Sequence, residues 1–422
     1  MAVLGLPPLH GVAGAALPCG ATITTSTMLT DDVGPCSGDG LVITADGTTL
    51  NLAGHRVFGT AAQGASAGIR LDGVSGVTVL NGSVDNFDAG VVVFRGGSNT
   101  ISSVNAHDNK ANQFVADNPD EGQLGDGILI LGSKNNKILN NTVRDNGPFS
   151  GISIVSETED QSVVGPLPTG NLISGNTIAH NAVPDVCTSA GEYFGGPCNP
   201  GEAVFNQNIG LRIEGPGASF TRVTHNTITQ SGREGLAVLN TRNRFTPPDA
   251  FSPQNTDSLI TGNNISDNGV SAVITDPEVG QLGGDGIFVR CFVNSPPQGC
   301  GTRTVIQNNT VLRNPAHGIA LGKSQGNTVR GNVAIGNGFG SMTSYASDPP
   351  YTDGFDLNAD PPCDSNTWVG NRLGTVNQPC VRFHVAGSAA AARAAVVQSA
   401  RAGGDLRSQP PPRNGRATLS PD

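Results

Sequence analysis

The chain has little of what usually fills large cores and charged surfaces. It holds one Trp and three Tyr, and aromatic residues are 5% of its 422 positions. A core built on stacked rings is excluded, because those side chains supply the largest buried areas. Charged residues are 14%, with only four lysines, Lys110, Lys134, Lys137 and Lys323. Net charge is −10, and six of the 24 cationic residues sit in 382–422. No nucleic-acid partner is expected, since phosphate binding needs a basic face. No apolar run reaches 18 residues, so no helical membrane span is expected. A phosphate-binding loop and a CxxC-type metal spacing are both missing.

What the chain does have is a repeat, Ile-x-x-Asn-x-(Ile/Val)-x-x-Asn, a variable gap, then Gly-Ile-x-Ile. Clear copies begin at Ile138, Ile173, Val223, Ile260, Ile306 and Val329, with weaker ones at Val79 and Ile101. A repeat of this kind sets the architecture before any motif is considered. Its β-branched triplets, punctuated by Asn and Gly, predict strands of three to five residues joined by tight bends. The first Asn recurs at Asn141, Asn176, Asn226, Asn263, Asn309, Asn332 and Asn371. A second column runs Asn109, Asn146, Asn181, Ser231, Asn268, Asn314 and Asn337. Asn tolerates left-handed bends, and stacked amides bond from coil to coil, so both columns read as structural. The shortest interval, Asn309 to Asn332, fits one turn of a three-sided parallel β-helix.

The Gly-Ile-x-Ile strand buries its alternating apolar residues and turns x outward. The outward residues are Arg70, Val92, Leu129, Ser153, Arg212, Ala237, Phe288, Ala320 and Asp356. The eight cysteines fall into four local pairs, Cys19-Cys36, Cys187-Cys198, Cys291-Cys300 and Cys363-Cys380, which read as disulfides formed in an oxidising, secreted or cell-surface setting. Four segments follow. Residues 1–18 read as a signal-peptide remnant without a basic start, and 19–60 as an N-terminal cap and first coil. The solenoid occupies 61–381. Residues 382–422 form an Ala/Arg/Pro-rich tail with at most a short helix over 388–402.

The repeat resembles that of the pectin-lyase-like superfamily, in the group that includes NosD-like proteins and alginate epimerases. The resemblance covers about residues 40–380 and implies an all-β, right-handed parallel β-helix. It is specific for fold and leaves the chemistry open among polysaccharide lyases, glycoside hydrolases, epimerases, carbohydrate-binding proteins and tailspikes.

Function is expected where the repeat is interrupted. One set of insertions, 110–126, 182–209, 269–285 and 338–353, precedes the Gly-Ile-x-Ile strand; another, 155–170, 239–257 and 290–303, follows it. They would wall a groove along one face, suited to an extended polysaccharide. Stacking rings are few, and most, such as Tyr193, Phe245 and Tyr351, lie in the insertions. Acidic insertions holding Asp117, Asp120, Asp126, Asp276 and Glu278 offer oxygen ligands for Ca²⁺, although no full calcium-loop spacing is present.

The residue before the glycine forms a column of its own. It brings Glu234, Asp285, His317 and Asp353 onto consecutive coils, adjacent coils lying ~4.8 Å apart. Carboxylates this close push one pKa upward and separate acid from base roles, as glycoside hydrolysis requires. These four are the candidate catalytic residues. Arg212, Arg233, Arg290, Lys323, Phe288 and Asp356 are the candidate substrate-binding residues. In a lyase or epimerase, His317 would be the base and the arginines would neutralise a uronate; no Asp-Pro-His-Asp run like that of alginate epimerases occurs. The leading expectation is a secreted polysaccharide lyase or glycoside hydrolase. The alternatives are a non-catalytic carbohydrate-binding or surface β-helix, and a uronate epimerase. Oligomeric state is not legible in the sequence.

Overall fold

The same three apolar positions recur in every coil, and the chain winds so that each stacks on its equivalent. The structure, a computed structural model, describes residues 13–15, 17–61, 66–111, 125–156, 165–183, 191–193, 196–198, 208–215, 217–241, 256–270, 275–276, 280–281, 283–292, 300–339, 351–357, 363 and 365–381. They belong to one unit spanning Met1–Phe383. The tail 382–422, with its expected helix, lies outside the described residues. Within 1–18, Ala13–Ala15 forms a strand that pairs in parallel with Thr27–Leu29.

Regular strands of the coils are parallel. One face is an 11-stranded sheet, from Ala21–Ile23 through Ile128–Leu131, Ser150–Val155, Ile209–Glu214, Leu236–Thr241, Ile287–Phe292 and Ile319–Gly322 to Gly354–Asp356. The other two faces merge into a 21-stranded sheet. They are continuous because the single strands Thr78–Asp85 and Thr100–His107 each run across both faces. Ile138, Ile173, Val223, Ile260, Ile306 and Val329 stack in register on one of these faces. Val143, Ile178, Ile228, Ile265 and Val311 stack on the other. All eleven are fully buried, and burying each contributes about 1.5–3 kcal/mol. This is a right-handed parallel β-helix with an aliphatic core.

Asparagine ladders hold the corners. Asn141 Nδ2 donates to Asn176 Oδ1 at 3.0 Å, and the pattern continues through Asn226, Asn263, Asn309 and Asn332 to Asn371. Each side-chain oxygen also accepts the backbone N–H of the preceding rung, as Asn176 Oδ1 does from Asn141. A buried corner leaves backbone groups without partners, and one amide supplies both a donor and an acceptor. The residue before each rung sits at positive φ, from Asn140 (54°) to Asn308 (53°), where Asn and Gly are tolerated. The second ladder links Asn109 to Asn146 and Asn181, pauses at Ser231, and resumes from Asn268 to Asn337. A third ladder escaped the sequence reading. It runs Asn99, Asn136 and Asn171, then resumes at Asn327 and Asn366. Thr221, Ser258 and Thr304 fill the rungs between. Its signal is a constant offset of five residues before the first column.

The Cys19–Cys36 and Cys363–Cys380 disulfides form. Cys291 is disulfide-bonded as well, whereas Cys187 and the side chains of Cys198 and Cys300 lie outside the described residues.

The last coil corrects the predicted register. Ile319 pairs with Gly354, Ala320 with Phe355 and Leu321 with Asp356. Gly354 therefore stands where earlier coils carry an Ile, one position later than expected. A Cβ there would meet Leu373 at 2.8 Å and Val381 at 3.0 Å, with the Trp368 ring at 3.5 Å, so these side chains of the closing coil fill the space an aliphatic chain takes elsewhere. A one-residue slip turns each side chain to the other face. Asp356 thus points inward, is 1% exposed, and accepts hydrogen bonds from Trp368 Nε1 (3.0 Å) and Asn366 Nδ2 (3.1 Å). It closes the solenoid and is not a groove residue.

Candidate active site

The glycine opening each Gly-Ile-x-Ile strand decides which way the residue before it faces. A Cβ on Gly286 would meet Val311 Cγ1 at 2.2 Å and Asn314 Nδ2 at 2.8 Å; one on Gly235 would meet Ile265 at 2.5 Å. The glycine and the Ile after it both face the interior, which only a residue without a side chain allows at that corner. The preceding residue is thereby returned to the outer face, beside the x column. Contacts across the two columns agree. Ser153 Oγ donates to Asp126 Oδ1 at 2.6 Å, and the Phe355 ring stacks on His317 at 4.0 Å.

Register places Glu234, Asp285, His317 and Thr352 on four successive coils of this outer column. Asp353 is displaced from it by the slip. It serves instead as the last rung of the second asparagine ladder, its Oδ1 accepting from the Asn337 N–H and Nδ2, both at 2.8 Å, and its Oδ2 from Thr375 Oγ1 at 3.1 Å. Asp353 thus does the work of an asparagine, not of a catalytic acid. The slip also hid Thr352 and Phe355, which the structure adds to the cluster.

Glu234 is 1% exposed, and neither carboxylate oxygen accepts a hydrogen bond among the described residues. Its ion-pair partner is Arg233, at 3.6 Å. Asp285 is 6% exposed and accepts the His317 backbone N–H at 2.7 Å. Burial, reinforced by the charge of Glu234, pushes the Asp285 carboxyl up to about 8; that hydrogen bond and the charges of Arg290 and Arg233 oppose the rise. At neutral pH Asp285 is therefore a carboxylic acid beside Glu234. His317 is pushed down to about 3 by burial. Its Nδ1 accepts the Thr352 backbone N–H at 3.0 Å, which leaves the proton of the neutral ring on Nε2. The Tyr351 ring meets it edge-on at 5.1 Å. His317 is held as a neutral hydrogen-bond donor, so the expected base role is corrected.

The substrate-binding candidates divide. Arg290 lies over the Phe288 ring at 5.8 Å, on the same outer face as Asp285. Arg212 belongs to a separate nest further back along the sheet, with Glu214 at 3.3 Å and the Phe149 ring at 4.5 Å. Asp126 is in that nest. Burial raises it to about 6, opposed by Arg212 and by the Ser153 hydrogen bond. Lys323 is exposed at a corner with φ 50°, outside the cluster. The floor is enclosed: Val92, Leu129, Ser153, Arg212, Ala237, Phe288, Ala320 and Phe355 are each at most 9% exposed.

Of the expected calcium ligands, only the Asp126 side chain lies among the described residues. Arg212 faces Asp126 and Ser153 occupies one of its oxygens, an arrangement that does not fit a divalent cation. Asp117, Asp120, Glu278 and the Asp276 side chain lie outside the described residues. Among the described residues no three His, Cys, Asp or Glu side chains converge as metal ligands.

The family profile "right handed beta helix region" matches residues 35–247. The chain belongs to the right-handed β-helix family. A search of curated proteins by sequence finds no match. Among solved structures, the Dettilon tailspike protein is similar, with 13% identity over 87% of this chain and 54% of its own, at a TM-score of 0.49. The catalytic domain of an α-1,3-glucanase has 13% identity over 87% of this chain and 63% of its own, also at 0.49. Pectate lyase Pel9A has 13% identity over 83% and 74%, at 0.46. The chain spans about half the length of the tailspike. These likenesses concern the fold. No helix among the described residues is long and apolar enough to cross a membrane.

Proposed function

We propose that this β-helix is a secreted carbohydrate-active enzyme that hydrolyses glycosidic bonds in an extended, neutral polysaccharide. The observation that carries the reading is the pair Glu234 and Asp285, in register on adjacent coils and turned to the same outer face, Asp285 holding its proton at neutral pH and Glu234 carrying two oxygens that accept no hydrogen bond among the described residues. Such a pair separates acid from base. Asp285 donates its proton to the leaving glycosidic oxygen as Glu234 bonds to the anomeric carbon. Water, deprotonated by the Asp285 carboxylate, then cleaves that ester and restores both groups. The coil spacing of ~4.8 Å suits this retaining course rather than inversion, which needs a wider gap.

Two features favour hydrolysis over the uronate chemistries. Arg212 and Arg233 each lie against a carboxylate on the same face, which weakens their pull on a uronate. His317 has committed its Nδ1 lone pair, so it does not serve as the base for a lyase or epimerase. Secretion is part of the same proposal and draws support from the disulfides. Asp117, Asp120, Asp276 and Glu278 stay as proposed calcium ligands.

The enclosed floor favours a second reading, a non-catalytic carbohydrate-binding or surface protein, since a polymer cannot lie on residues at most 9% exposed. A panel of neutral and uronate polysaccharides decides between them. Reducing ends without ultraviolet absorbance support hydrolysis, and absorbing unsaturated ends support a lyase. Binding with no cleavage supports the second reading. Repeating the panel with EDTA tests calcium.

A further inference from the structure

The corner that follows the 11-stranded sheet carries one residue in each coil at positive φ. Ser98, Asn135, Gly170, Phe220, Asp257, Arg303 and Gly326 follow one another, with φ between 45° and 72°. Backbone bonds from each to the next coil keep them in line: Gly170 N–H to Ser219, Phe220 N–H to Thr256, Asp257 N–H to Thr302 and Arg303 N–H to Gln325. Small or polar residues suit this conformation. A phenylalanine does not, and among the described residues Phe220 is the one large apolar side chain held there. It is also 58% exposed, so its ring gains little from burial. A residue that the backbone disfavours and the core does not use points to a task at the surface.

Its neighbours define the task. On one side Gly170 contributes no side chain, and the Asn135 side-chain oxygen lies over it, 2.4 Å from where a Cβ would stand. On the other, ~4.8 Å and about 10 Å away by coil spacing, stand Asp257 and Arg303. They form a bidentate pair, Arg303 Nε donating to Asp257 Oδ1 at 2.9 Å and Nη2 to Oδ2 at 2.6 Å, the Arg303 side chain 57% and the Asp257 side chain 29% exposed. The result is a flat apolar ring beside fixed, solvent-facing acceptors and donors on rigid coils. Sugar residues present that combination in mirror form, an apolar C–H face and a rim of hydroxyls.

We propose that Phe220, with Asp257 and Arg303, is a second carbohydrate-binding site, separate from the Glu234–Asp285 cluster, that stacks a sugar residue of the polysaccharide on the solenoid corner. This rests on the carbohydrate reading above and deepens it. Unlike the enclosed floor, the corner is open to a polymer as the chain stands, so it is the place where a long chain first docks.

The test uses Glu234→Gln, to stop turnover, and affinity electrophoresis through gels holding galactomannan, xylan, mixed-linkage glucan or dextran. Phe220→Gly in that background relieves the corner and is expected to raise the melting temperature, while weakening retention at least about fivefold, the loss of one aromatic contact. Phe220→Trp is expected to keep retention. A gain in stability with a loss of binding is a pairing that a merely structural Phe220 does not give. If Glu234→Gln is retained by a polymer and the Phe220→Gly form is retained equally, this site is overturned and the hydrolysis reading stands. If no polymer retains Glu234→Gln and none is cleaved by the wild type, both are overturned.

Discussion

Asp285→Asn should make the protein more stable and inactive at once. The folded chain ionises Asp285 at about 8, against about 3.9 for an unfolded Asp. The sign follows from linkage. Between those values the folded state keeps a proton that the unfolded state has lost, so stability falls as pH rises, and the decline levels off above about 8. The slope for one group is ~1.4 kcal/mol per pH unit. Between pH 5 and 7 the wild type should therefore lose roughly 2–3 kcal/mol more than Asp285→Asn. Asn keeps the oxygen that accepts the His317 N–H at 2.7 Å, so little packing is sacrificed. The assay is equilibrium urea unfolding of both proteins at pH 5, 6, 7 and 9, with kcat measured on the cleaved polymer. Loss of the general acid should lower kcat by about 10²–10⁴. Parallel stability profiles, or a variant less stable than wild type at pH 7, would refute a protonated Asp285 and with it the acid role.

Asp353→Asn should leave kcat unchanged and stability equal or higher, because an amide oxygen accepts from Asn337 as well as the carboxylate does and burial already penalises the charge; a hundredfold fall in kcat would return Asp353 to the active site. The kcat/KM profile should carry an alkaline limb near 8 from Asp285 and none from His317, which burial holds neutral down to about 3. His317→Gln should keep that profile's shape, and a limb between 6 and 7 that vanishes in this variant would overturn the donor role. Asn309→Ala removes bonds to Asn263, Asn332 and the Ile260 carbonyl. It leaves buried groups unsatisfied and should cost about 3–5 kcal/mol in urea unfolding, with a cost under 1 kcal/mol refuting the ladder as a stabilising element.

Much of the fold was legible because each coil repeats the same solution. Ile138 to Val329 announce their stacking, and Asn141 to Asn371 announce the corner, since a buried bend leaves backbone groups that an amide satisfies. The third ladder was obscured where Thr221, Ser258 and Thr304 replace Asn in three successive coils. The candidate site was legible in part. The column Glu234–Asp285–His317 follows from register alone. Asp353 and Asp356 were misplaced because the Gly-Phe-Asp of the last coil imitates Gly-Ile-x, and nothing local reveals that Leu373 and Val381 have taken the aliphatic slot.

The sequence by itself determined the coil, its period and the order of residues along each column, because those depend on local preferences repeated at fixed spacing. The tertiary structure decided which way the columns face and what each polar group meets. Gly286 and Gly235 turn two successive positions inward only because Val311 and Ile265, on another face, crowd the corner. Asp285 keeps its proton because burial and Glu234 act together, and Phe220 stands exposed because its neighbours in space, not in sequence, are Gly170 and Asp257. Electrostatics and exposure are sums over the surroundings, and a solenoid draws those surroundings from coils that are dozens of residues apart.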